Sequence, residues 1–206
     1  MDETFGTSST KEGEDKDQVI GIINYWDSVS HQIINNGQGY CHCNLSPFSD
    51  QVLMEQGAVL DGLKKGEWEG LGGVGESQFT FKESYEKGTL VQGIQHWGGN
   101  KYTYSYLKRQ AMPVGGIKTF YANIAEDLRY PVSARKKNIQ GVVYVEFVID
   151  EAGYLNDIRI VKGIEKGCDE EAMRAVTISP KWSPGFVRGR PVKRRMTLPI
   201  IFKLRV

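Results

Sequence analysis

From Val192 to Val206 the chain alternates. Met196, Leu198, Ile200, Phe202, Leu204 and Val206 fall on one side, and Lys193, Arg195, Thr197, Pro199, Ile201, Lys203 and Arg205 on the other. A period of two with one apolar side is the pattern of a half-buried β-strand. Such a strand cannot stand alone; it needs neighbouring strands and a layer to cover its apolar face. Upstream residues supply both. Gly141–Asp150 (GVVYVEFVID) is rich in β-branched and aromatic residues, which predicts a strand. Glu151-Ala152-Gly153 reads as a hairpin turn, and Tyr154–Lys162 as the returning strand. Thr119–Leu128 places Phe120, Ile124 and Leu128 at i, i+4 and i+8 with Tyr121 beside them, one apolar helix face. That helix must stop near Tyr130, because Pro131 lacks an N–H and pushes its predecessor out of α space. Asp169–Ile178 reads as a second helix ended by Pro180, with Asp169, Glu170 and Glu171 expected in its first turn, where the macrodipole favours negative charge. The order is therefore helix, strand, strand, helix, strand. Residues 111–206 are expected to form an α+β two-layer αββαβ sandwich on an antiparallel sheet.

Pro199 interrupts the donor pattern of the last strand, and proline in a sheet belongs on an edge strand or at a bulge. The sequence leaves open which side of the strand loses the bond. Charged residues on the same stretch are what an edge protected against self-pairing carries. Val192, Lys193, Arg194, Arg195, Met196, Thr197, Pro199, Ile201 and Lys203 are thus the candidate partner-binding residues, through backbone groups that an added strand could use. Seven cations between Arg188 and Arg205, with no acidic residue among them, are expected to steer an acidic peptide.

The rest of the chain has a different character. Glycines recur among Trp, Tyr, Phe, Val and Leu from about Asn36 to Lys108, and 24 glycines in 206 residues favour turn-rich β structure. GAVLDGLKKGEWEG (Gly57–Gly70) and ESYEKGTLVQGIQHWGG (Glu83–Gly99) look alike, with Lys65-Gly66 and Lys87-Gly88 read as their turns. A β-meander is expected over residues 18–110, behind a polar, flexible tail at 1–17. Gln18–His31 fits either a short helix or a first strand. Charge divides with the pattern: residues 1–110 hold 9 Lys+Arg against 15 Asp+Glu, and residues 111–206 hold 17 against 10. This asymmetry supports two domains, with Met112–Gly116 (MPVGG) as the hinge.

The second half carries a family signature. Tyr130-Pro131 with Ala134, Gly141 at the first strand, Asp150 and Gly153 at the hairpin, and Glu171-Ala172 with Arg174 in the second helix come first. Trp182 with Pro184-Gly185, Gly189, and Pro199 with Phe202 follow in the same order and spacing as in the TonB C-terminal domain, which residues 111–206 resemble. Each of these is a fold determinant and none is catalytic; Trp182 is expected to cover the sheet and to find a partner for its indole N–H. The Gly-aromatic region resembles, more loosely, the MORN repeat of stacked hairpins. The TonB resemblance implies a periplasmic or envelope-associated protein whose last strand pairs with a short receptor segment, the TonB box. It also implies an anchor and a Pro-rich spacer. This chain shows neither, so membrane contact is expected only through an anchor absent from it. The alternative is an envelope scaffold that forms a homodimer through the same edge while the N-terminal half binds the partner.

Other chemistries find little support. The basic stretch accompanies no nucleic-acid motif. Cys41-His42-Cys43 lacks zinc spacing and is expected to pack, and an odd three cysteines leave the redox compartment open. Gly72-Gly73-Val74-Gly75 has no Lys-Ser/Thr follower, so it is not a phosphate loop. No nucleophile–base pair stands out, so no enzyme, metal or cofactor is expected; an enzyme would need a deep pocket near His42, His96 or Trp97.

Overall fold

A computed structural model describes residues 5–6, 21–22, 25–26, 32–43 and 52–204. The chain forms two compact units. One comprises Met1–Arg109 together with Phe186–Arg190, the other Gln110–Gly185 with Pro191–Val206. The expected tail lies mostly outside the described residues, but its β1 (Phe5–Gly6) pairs with β2 (Gly21–Ile22).

The first unit is an antiparallel meander of eight strands that follow chain order. They are β3 (Tyr25–Trp26), β4 (Gln32–Asn35), β5 (Gln38–Cys43), β6 (Val52–Leu60), β7 (Leu63–Gly72), β8 (Phe79–Glu86), β9 (Thr89–Trp97) and β10 (Asn100–Tyr104). Two-residue turns with positive φ at both positions make the hairpins: Asn36-Gly37, Asp61-Gly62, Lys87-Gly88 and Gly98-Gly99. This geometry matches the natural twist of the strands it joins. Lys87-Gly88 is a turn as expected, but Lys65-Gly66 is not. Gly66 (φ 67°) lies inside β7 beside a bulge, and Asp61-Gly62 makes the turn instead.

The Gly-aromatic pattern has a packing cause. A Cβ on Gly57 would come within 2.3 Å of the Trp68 ring, one on Gly70 within 2.4 Å of Phe81, and one on Gly93 within 2.2 Å of Tyr104. Each ring occupies the space that a side chain at the glycine would fill. Ile34, Cys41, Val59, Trp68, Tyr85, Leu90 and Tyr104 form the resulting core, with Trp68 Nε1 donating to the Ala58 carbonyl at 3.0 Å.

In the second unit β11 (Lys108–Arg109) has been left behind and β12 (Met112–Pro113) opens the fold, followed by α1 (Gly116–Asp127), α2 (Val132–Lys136), β13 (Gly141–Ile149), β14 (Leu155–Lys162) and α3 (Lys166–Thr177). The chain continues through β15 (Trp182–Ser183), β16 (Gly185–Val187), β17 (Arg190–Val192) and β18 (Arg194–Phe202). This is the expected αββαβ order with one extra helical turn after Pro131. Both long helices begin about a turn earlier than the apolar spacing suggests. As a result only Asp169 of the acidic trio sits in the first turn of α3, where its carboxylate accepts the Ile164 N–H at 3.0 Å. Glu171 instead clasps Arg174 and the Arg129 N–H, while Arg174 donates to the Asp127 carbonyl at 2.7 Å. Phe120 and Ile124 of α1, Cys168, Ala172, Ala175 and Val176 of α3, and Val143, Val145, Phe147 and Ile149 of β13 bury one another.

Candidate functional site

The sheet of the second unit has the order β14-β13-β18, so among the described residues β18 pairs with β13 alone and its other side is open. Its register with β13 runs unbroken from Ile149 opposite Arg194 to Gly141 opposite Phe202, with Pro199 opposite Tyr144. Leu198, Ile200 and Phe202 are buried toward the helices; Arg195, Thr197 and Ile201 are exposed on the other face, Ile201 at 64 %. Glu146 sits beside them and accepts from Arg159 Nε at 2.7 Å and Arg195 Nη1 at 2.8 Å. The Arg159 hydrogen bond, helped by Arg195, holds its carboxyl below the usual range.

The turns and rings around this sheet explain why it holds its shape. Gly153 has φ 87°, and a Cβ there would lie 2.0 Å from the Trp182 carbonyl oxygen; its own carbonyl accepts the Trp182 N–H at 3.0 Å. Asp150 accepts the Tyr154 N–H at 2.8 Å and the Ala152 N–H at 3.0 Å, bonds that lower its pKa, the Tyr154 bond most. Trp182 stands edge-on to Phe120 and Phe147, with centroids 5.3 and 5.4 Å away. It is buried as expected, yet its indole N–H has no hydrogen-bond partner among the described residues, where Phe120 and Phe147 flank the ring. The Tyr130 hydroxyl donates to the Ile139 carbonyl, and its ring stands edge-on to Phe202. Pro131 immediately precedes α2, and Gly185 leaves room for the Arg194 stem, whose Cγ a Cβ would meet at 2.5 Å. Pro184 links β15 to β16. Residues 126–204 match the family described as the Gram-negative bacterial TonB protein C-terminal.

Residues 126–204 belong to the TonB C-terminal family.

Protein TonB of Vibrio cholerae serotype O1 is 37 % identical over 79 residues, which is 37 % of this chain and 31 % of that protein. The chain thus spans about a third of that relative's length. Two NMR solution structures of the Helicobacter pylori TonB-CTD also match at 24 % identity. The one of residues 179–285 covers 44 % of this chain and 81 % of that chain at TM-score 0.35; the one of residues 194–285 covers 42 % and 91 % at 0.34.

Within the TonB C-terminal domain the candidate edge residues are not one strand. Arg194, Arg195, Met196, Thr197, Pro199 and Ile201 lie on β18, but Val192 ends β17 and Lys193 separates the two. Upstream of the expected run, Arg188-Gly189, both at positive φ, turns β16 into β17, so Val192 closes that hairpin rather than opening the edge strand. Lys203 follows β18; Leu204 is tied back through its N–H to the Gln140 side chain at 2.9 Å, and Arg205 and Val206 lie outside the described residues. The expected basic surface is also divided. Arg188 is buried against Glu83, Arg190 lies over the Trp97 ring at 4.6 Å, and Arg195 is held by Glu146. Lys193 and Lys203 remain exposed.

In the first unit His42 and His96 line an open trough of about 600 Å³ with Met54, Gln56, Glu69 and Lys82. Gln56 donates to Glu69 at 2.8 Å, a bond that with Lys82 lowers the Glu69 pKa, and His42 contacts the Met54 sulfur rather than an acid. Trp97 with Gly98 and Gly99 borders a smaller hollow of about 360 Å³. Among the described residues no His/Cys/Asp/Glu group could hold a metal ion. Cys41 is buried and disulfide-bonded, and Cys168 is a buried free thiol.

Proposed function

We propose that this protein works without catalysis in the bacterial envelope, its TonB C-terminal domain capturing an extended peptide by adding it to β18. The partner is a TonB-box segment of an outer-membrane receptor, within energy-coupled transport, and the first, MORN-like unit serves as an accessory to that domain. The observation that carries this reading is the open side of β18 together with Pro199 in an unbroken register. Proline has no N–H to give to β13, so the register is kept at least cost with its ring nitrogen facing outward. Arg195, Thr197 and Ile201 share its parity, and their N–H and C=O groups then face outward too. An incoming strand meets that ladder and, on the exposed face, the apolar side chains of Ile201 and Tyr144. The disulfide at Cys41 fits an oxidising compartment such as the periplasm. Among the described residues no helix is long and apolar enough to cross a membrane.

The test is a titration of the full chain with TonB-box peptides, with Thr197→Pro and Ile201→Pro as variants and sizing of the same samples. Saturable binding is expected, weakened about tenfold or more by either proline as outward ladder bonds are lost, with the melting temperature little changed. Because Arg188, Arg190 and Arg195 are each held by another group of the chain, binding should depend shallowly on salt. Peptide binding that survives both prolines would sink strand addition at β18. No binding, with a dimer that either proline dissociates, would instead assign the edge to self-association.

A further inference from the structure

The first unit takes its residues from two places, and the second piece, Phe186–Arg190, lies beyond α3 in the chain. This piece is a tight turn, with Arg188 at φ 48° and Gly189 at φ 73°. A Cβ on Gly189 would come within 2.9 Å of the Thr103 carbonyl oxygen, so the turn presses close against β10. Arg188 is 2 % exposed. Its Nε donates to Glu83 at 2.8 Å, its guanidinium lies 4.3 Å from the Phe81 ring centroid, and its backbone N–H donates to the Leu107 carbonyl at 2.7 Å. On either side, Arg190 stacks on Trp97 and Arg109 stacks on Phe186 at 4.4 Å, while Lys108 pairs opposite Val187.

Glu83 itself is 1 % exposed. It accepts from the Tyr85 and Tyr104 hydroxyls at 2.8 Å each, and burial with the nearby carboxylate pushes both phenol pKa values up. Those donors are neutral. The charge that balances the buried carboxylate comes from a residue 105 positions further along the chain. A buried carboxylate left without its cation is strongly destabilising. The face built by β8, β9 and β10 is therefore complete only when the turn is seated.

We propose that Phe186–Arg190 is a latch. With Arg188 seated, β8–β10 and the lead into β18 open and close as one cooperative unit. With it released, Glu83 becomes an uncompensated buried charge and that face loosens. The latch ends at Arg190, just before β18 begins at Arg194, so load on β18 reaches the Arg188 site along a short stretch of chain.

Hydrogen–deuterium exchange on the full chain tests this, comparing the parent with Arg188→Met, Glu83→Gln and the double variant. In the parent, segments 79–104 and 186–192 should exchange with one common slow opening. In Arg188→Met both should speed up together by roughly 100-fold or more, leaving 141–162 unchanged. If Arg188→Met does not fold, Glu83→Gln keeps both tyrosine partners and must show the same paired acceleration. The double variant should recover part of the loss, since it leaves no uncompensated charge. Fast exchange of 186–192 beside slow 79–104 in the parent, acceleration confined to 186–192, or a strictly additive double variant would overturn the latch.

Discussion

Gly93→Ala tests the packing logic of the first unit most sharply. The new Cβ would lie 2.2 Å from Tyr104 Cε2, 2.3 Å from Cζ and 2.8 Å from the hydroxyl oxygen, where carbon atoms normally rest about 3.5–4.0 Å apart. The ring must move by more than an ångström, and its backbone is paired to β9 at Gly93 itself, so it cannot retreat with the strand. Moving the ring pulls the hydroxyl off Glu83, a buried carboxylate. Overpacking costs about 1–3 kcal/mol and a lost hydrogen bond to a charged group about 1.5–3, so the total should be about 3–5 kcal/mol. Gly66→Ala is the contrast. Nothing lies within 4 Å of its Cβ position, and only its φ of 67° is strained, at about 1–2 kcal/mol. Denaturant unfolding of the full chain would be followed by tryptophan emission in a Trp182→Phe background, so that the signal comes from the first unit. A Gly93→Ala cost under about 1 kcal/mol, or a Gly66→Ala cost as large as it, would refute the ring-over-glycine account. So would a Gly93→Ala penalty that persists undiminished in a Tyr104→Ala background, where no ring is left to strike.

Two further outcomes concern the second unit. Trp182→Ala should cost about 3–5 kcal/mol in a thermal or urea melt, because it empties the space between Phe120 and Phe147; Trp182→Phe should cost clearly less, since it also removes a buried indole N–H that has no partner among the described residues. Glu171, whose carboxyl is held below its usual range first by the Arg174 hydrogen bond and then by the Arg129 N–H, contributes stability that is present above pH 4.5 and is lost as pH falls through its lower folded-state value. An acid titration of stability should therefore lose part of its steepness below that pH in Glu171→Gln, and an unchanged acid limb would count against the clasp.

The sequence exposed what is set by short-range periodicity. Alternation through Met196–Phe202, the helix face of Phe120 and Ile124, and the stop at Pro131 all appear where their spacing places them. Helix starts were less legible: α1 begins on two glycines at φ 84°, residues that spacing alone would leave in the loop, and the Thr119 hydroxyl bonds back to the Gly115 carbonyl. In the first unit two Gly dipeptides four residues apart compete for one turn. Asp61-Gly62 is a strong hairpin dipeptide, whereas the positive φ of Gly66 serves a bulge in β7.

The edge shows where a one-dimensional reading of charge stops. Along the chain, Arg188, Arg190, Lys193, Arg194, Arg195 and Lys203 look like one basic stripe. A strand of constant direction would indeed display them so, but the Arg188-Gly189 turn reverses the chain, and each cation then answers to its own surroundings. Arg188 compensates Glu83, Arg190 covers Trp97, Arg194 lays its stem against Gly185, and Arg195 is held across the sheet by Glu146. Glu83, Trp97 and Glu146 are all distant in sequence, so no local pattern announces them; the one local sign is the Arg-Gly pair, which marks a turn. What survives at the edge is the part the backbone dictates: an outer strand with a proline in register, and under the proposed strand addition a partner would be held by main-chain hydrogen bonds and the apolar Ile201–Tyr144 face more than by long-range attraction.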